Sequence, residues 1–183
     1  MRQAWPMVIQ IGRQTRGSGV GALVLECHDR IRSSIAIAEK LGAATAPPYD
    51  DVRATAKRVY DYFADALPLH VADEEETFAP LLRGKDREAD AALEEMARQH
   101  ATHVEPLSRL LDLCQALIAS PERHAELAPL LLDVSTTLRR EFDAHLAIEE
   151  TIILPAILRC LDPSEHAAMI TEIRARRARA RTQ

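Results

Sequence analysis

The chain has 183 residues, of which 47% are hydrophobic but only 4% aromatic, with six glycines and a net charge of −5. It is long enough to close one good core, and its balance of Ala, Leu and Ile over aromatic residues, with no Asn-Gly or Asp-Gly hairpin signal, favours an all-α fold over a β-rich one. Five arginines fall in the last ten residues and leave an acidic body of −10, which argues against nucleic acid as the partner; no apolar run is long enough to span a bilayer.

Residues 1–18 lack a helical period and run into Gly17, Ser18 and Gly19, so 1–19 reads as an irregular lead-in. The first helix is expected from Val20 to Leu41, with Val24, His28, Ile31, Ile35 and Ala38 on one stripe, stopped by Gly42 and the Pro47-Pro48 loop. The second starts near Asp50 and Asp51 and carries Val59, Phe63, Ala66, His70, Glu74, Thr77 and Leu81 on its stripe. Pro68 should kink it, since proline lacks the N–H and crowds the preceding turn.

After a break at Gly84, the third helix has Leu93, Met96, His100, His103, Leu107, Leu110, Cys114 and Leu117, with a bend expected at Pro106. Ser120 as N-cap and Pro121 at the first helical position should open the fourth, whose stripe is Leu127, Leu131, Val134, Leu138, Phe142, His145, Glu149, Ile152 and Ala156. A short extra helix over 164–180 follows Asp162-Pro163 and ends in the basic tail, expected to be solvated. The plan is therefore an up-down-up-down four-helix bundle over 20–160, an irregular segment before it, and a C-terminal helix and tail over 161–183.

Three widely spaced cysteines (Cys27, Cys114, Cys160) form no Cys-x-x-Cys pair and read as reduced thiols. With no secretory h-region at the start, they point to the cytoplasm.

Chemistry concentrates in a repeat. His70 is followed by Glu74, Glu75 and Pro80, and His145 by Glu149, Glu150 and Pro155, at the same intervals. Residues four apart share a helix face, so each copy sets an imidazole beside a carboxylate on an apolar stripe, with His28 and His100 on the stripes of the other two helices. A buried polar group without a partner costs about 2–7 kcal/mol, and a charge more. A pair of dications satisfies all of them, since iron, manganese and zinc take both donor types. Glu75 and Glu150 are turned about 100° from the stripe and should face water or steer helix packing. Cys27 reads as a packed thiol, His124 and His166 as solvated, and Trp5 carries no functional signal.

The set formed by Cys27-His28-Asp29, both His-x-x-x-Glu-Glu segments and their trailing prolines resembles the hemerythrin-like, or HHE cation-binding, four-helix bundles over about Val20 to Cys160. That resemblance implies two non-heme iron ions, with other divalent transition metals able to use the same donors. It makes His28, His70 and His145 terminal ligands, Glu74 and Glu149 bridging carboxylates, and His100 the helix-three ligand. The chain departs from the oxygen carriers at helix three, where Val104 and not a histidine lies four after His100. His103 is then either a ligand or a hydrogen-bond partner to one. The second carboxylate is also a Glu at four residues where the family has an Asp at five, so the site is six-ligand with one iron open to water, or asymmetric. The implied function is binding or sensing of O2 or nitric oxide, or handling of iron. The alternatives are a di-iron enzyme acting on peroxide or nitric oxide or in iron–sulfur cluster repair, whose cysteine-bearing leader has no counterpart in residues 1–18, and a metal-free interaction module.

Overall fold

The computed structural model describes residues 19–182, so the irregular lead-in expected over 1–18 and Trp5 lie outside the described residues. Among those described there is no strand. Four helical rods close a ring in which each touches its neighbours in sequence, and the fourth returns to the first. Rod one is α1 (Val20–Ala43). Rod two comprises α2 (Tyr49–Asp61), α3 (Leu67–Asp73) and α4 (Ala79–Leu82). Rod three is α5 (Arg87–Ala119), and rod four comprises α6 (His124–Ile148) and α7 (Leu154–Cys160). Short connections between successive rods make them antiparallel, as the sequence stripes require. No helix is long and apolar enough to cross a membrane.

Rods two and four are continuous because their prolines are absorbed, not because they are straight α-helices. Three π-helical turns, Tyr62–Ala66, Glu74–Phe78 and Glu149–Ile153, precede Pro68, Pro80 and Pro155. In each, the N–H just before the proline reaches five residues back: Leu67 to Tyr62, Ala79 to Glu74, and Leu154 to Glu149. Proline has no N–H for the carbonyl four residues back and its ring crowds that carbonyl. Widening the turn by one residue passes over it. The kink expected at Pro68 is thus a π-turn, while α5 runs through Pro106 as α-helix.

Two apolar clusters fill the bundle. One holds Ile31, Ile35, Val59, Phe63, Leu110, Leu131, Leu138 and Phe142, and the other Val20, Val24, Phe78, Leu82, Leu93, Met96, Ile153 and Ile157. Between them lies a buried polar layer containing His28, His70, Glu74, His103, His145 and Glu149.

Three local expectations change. Ser120 makes no side-chain cap; a 3-10 turn, Pro121–Arg123, starts rod four. His124 is buried, not solvated, and its Nε2–H donates to the Leu41 carbonyl at 2.8 Å, satisfying one of the last carbonyls of α1. His166 is half-buried with Nε2 on the Ile157 carbonyl at 3.0 Å.

The C-terminal helix α8 (Pro163–Ala180) starts at a full capping box between Asp162 and Glu165. Arg174, Arg179 and Arg181 are exposed as expected, but Arg176 and Arg177 are not. Arg176 is buried against Asp73, Glu76 and Thr77 of rod two, and Arg177 pairs with the same Asp73 at 2.6 Å.

Candidate metal centre

Six donors from four rods converge in the polar layer as two groups of three. His28, His70 and Glu149 form one group, and Glu74, His100 and His145 the other; within each, a ligand atom of every member lies within 4.8 Å of the others. The sequence repeat is crossed in space: His70 joins the glutamate of the other copy, and His145 joins Glu74. Each group therefore takes a histidine from one repeat, a carboxylate from the other, and a lone histidine from rod one or rod three.

Glu74 faces both groups, whereas Glu149 stands against the two histidines of its own. His28 Nε2 lies 2.6 Å from Glu149 Oε2, and His70 Nε2 is 3.6 Å from the same atom but also 3.5 Å from Glu74 Oε1. Glu74 in turn sits 3.1 Å from both His100 Nε2 and His145 Nε2. The π-turns begin at these two glutamates, so the widened turn and the carboxylate fall at the same level of both rods. Pro80 and Pro155, six residues beyond, are the sequence signal for it.

Outside the layer, three of the imidazoles are held by their other nitrogen. The Nδ1–H of His28 donates to Glu150 at 2.8 Å and that of His100 to Glu75 at 2.8 Å. His145 Nδ1–H donates to the Gln99 amide oxygen at 2.9 Å, and Cys27 is among the groups that raise the His70 pKa. A carboxylate can only accept, so its bond puts the proton on Nδ1 and leaves the Nε2 lone pair facing inward. Such outer partners fix tautomer and ring orientation in metal sites. Arg32 pins Glu150 at 2.9 Å. Glu75 and Glu150 thus do more than face water or steer packing: each orients a histidine on another rod. The doubled Glu-Glu was the signal for this, but the histidine it serves is remote in sequence.

Without an ion the layer is poorly satisfied. The Nε2 atoms of His28, His70 and His100, Oε2 of Glu74 and both oxygens of Glu149 are buried with no hydrogen-bond partner among the described residues. All six belong to the two groups. Buried polar atoms are normally paired, and a cation in each group is what this donor chemistry accommodates. Burial by itself lowers the His70 pKa, but Glu74, Cys27 and Glu149 outweigh it and raise it to about 10. Burial pushes Glu74 up, yet His70, His100 and His145 hold it well below the usual carboxylate range. Glu149 is raised, by burial and by Glu74. In the metal-free protein, a proton on His70 takes part of the role a dication can fill.

His103 stands in neither group. It is buried, stacks on Phe142 at 4.6 Å between ring centroids, and meets His145 edge-on at 5.4 Å. Burial, helped by His145 and His100, lowers its pKa to about 4. Val104, the position where the carriers have a histidine, points to solvent.

Among the comparisons, a family model described as hemerythrin HHE cation binding domain matches residues 21–157. Nothing among curated proteins or solved structures matches this chain.

Proposed function

We propose that this chain, which belongs to the hemerythrin HHE cation-binding family, holds two non-heme iron ions and uses them to bind or sense O2 or nitric oxide. His28, His70 and Glu149 hold one ion and Glu74, His100 and His145 the other, with Glu74 also 3.5 Å from His70 of the first. The observation that supports this reading most directly is the set of six buried, unpaired ligand atoms, all aimed into one layer. The bound irons would supply redox-active positions for a diatomic ligand. The protein's own part is to present Nε2 lone pairs through Glu75, Glu150 and Gln99, and to keep water off the first group with the apolar clusters on either side. Three unpaired thiols fit a reducing compartment such as the cytoplasm.

Metal analysis of protein made in iron-supplemented medium tests this. Two irons per chain are expected, falling by at least one in His70→Ala and in His145→Ala. Stoichiometric absence of any transition metal, or variants that load like wild type, would defeat it. A second reading, a di-iron enzyme, draws on the accessibility of the second group, where His100 is 13% exposed. Turnover with peroxide or nitric oxide, set against a reversible absorption change with O2, separates the two.

A further inference from the structure

One cleft, between rods two and three, is lined by all three donors of the second group and belongs to the metal centre. Another, of about 400 Å³, lies where α8 crosses α1 and the first π-turn of rod two, and none of the six donors lines it. Leu23 of α1, Leu69 of α3 and Ile173 of α8 give it apolar walls. Tyr62 and Cys27 line it as well.

The charged side chains of this lining are Glu26, Asp65 and four arginines, Arg30, Arg174, Arg177 and Arg181. Arg30 pairs with Glu26 one turn away, and Arg177 with Asp73 at 2.6 Å. The side chains of Arg174 and Arg181 make no ion pair or hydrogen bond among the described residues, and Asp65 is the one lining acid left to offset them. Positive charge is therefore in excess, and a guanidinium can only donate. The Tyr62 hydroxyl adds to the donors: its oxygen is buried with no hydrogen-bond partner among the described residues. Burial and Cys27 push its pKa up, while Arg30 and Arg177 act against them. It stays a neutral O–H with guanidinium groups close by. Buried polar atoms are normally paired, and what this lining lacks is an acceptor.

An oxyanion supplies one, since carboxylate and phosphate oxygens accept from a hydroxyl and from the guanidinium fork alike. The volume asks for more than a bare ion. One water takes about 30 Å³, whereas sites for small organic ligands run to about 300–1,000 Å³. We propose that this cleft binds a small organic oxyanion, its apolar body among Leu23, Leu69 and Ile173 and its head group accepting from Tyr62 and the arginines of the lining. The site does not depend on the metal groups, although Cys27 in its lining immediately precedes His28. Isothermal titration calorimetry of the full chain with benzoate and with phenyl phosphate tests it. Inorganic phosphate serves as the bare-ion control and benzyl alcohol as the neutral one.

The expected result is one-site binding of at least one organic anion with a Kd below about 1 mM, weakened by added salt. Whichever of the two binds tighter identifies the head group as carboxylate or phosphate. Arg174→Glu combined with Arg181→Glu, both at exposed positions, should weaken binding by about tenfold or more, or about 1.4 kcal/mol. Tyr62→Phe should weaken it several-fold, with Tm and iron content as in wild type. No heat with either organic anion, or equal binding of benzyl alcohol or of inorganic phosphate, would overturn the proposal. Binding indifferent to the double arginine variant and to Tyr62→Phe would overturn it too, by assigning the anion to the metal layer.

Discussion

The two donor groups are built from the same residue types and differ in everything around them. His28 and Glu149 are 0% exposed, and the outer carboxylate, Glu150, is locked by Arg32. In the other group His100 is partly open, and its outer carboxylate, Glu75, is 56% exposed and takes only His100 among the described residues. Only His70 of the first group lines the cleft between rods two and three, whereas all three donors of the second do. A repeat can thus duplicate donors without duplicating their surroundings: access to the group, and the bracing of one outer carboxylate by Arg32, come from residues outside the repeat.

The largest test of that difference is metal removal. Iron-loaded protein treated with a chelator should pass through a one-iron species, the ion at Glu74, His100 and His145 leaving at least about tenfold faster because solvent reaches it. Native mass spectrometry reads this, and simultaneous loss of both ions would erase the distinction. Next come the outer carboxylates. Loss of such a partner costs roughly 10–100-fold in metal affinity. Glu150→Gln should fall in that range and Glu75→Gln below it, measured by competition with a chromogenic chelator; the reverse order would mean exposure does not govern the outer sphere.

A third test concerns the brace behind the second group. Arg176→Ala strips one partner from buried Asp73, next to Glu74, while Arg177 remains. The expected cost is about 2 kcal/mol, a fall in Tm of roughly 4–8 °C for a chain of this size. An unchanged Tm would show that α8 merely rests on rod two.

The smallest effect is on pH dependence. The pKa of His103 is lowered from 6.5 to about 4, so the unfolded chain takes up its proton first as pH falls. The stability tied to neutral His103 is present above 6.5 and is lost as pH drops through 4. In metal-free protein, His103→Leu should flatten the decline in Tm across that window. A decline as steep as wild type would assign the acid sensitivity to other groups.

How much of this was legible in the sequence depended on whether the relevant partner was local. The stripes placed His28, His70, Glu74, His100, His145 and Glu149 inside four helices, because helical period and burial are local properties. The π-turns were hidden since a proline in a helix reads as a kink, and only the backbone shows the widened turn that accommodates it. Glu75 and Glu150 read as solvated because the histidines they hold sit on other rods. His124 looked like an exposed residue at a helix start, yet its acceptor, Leu41, lies 83 residues earlier. Arg176 and Arg177 read as part of a charged tail because their partner, Asp73, lies about a hundred residues earlier on another rod. His103 was recognised as a face-sharing residue but not as one stacked on Phe142, a contact that spacing on one helix does not encode.

Asp73 also bears on the order of synthesis. All six inward donors lie between positions 28 and 149, while the arginines that brace the second rod come at 176 and 177. Chains emerge and fold from the N-terminus at roughly 5–20 residues per second. A nascent chain therefore displays every donor seconds before Arg176 can reach Asp73. Through that interval the segment carrying His70 and Glu74 relies on rod-to-rod packing alone.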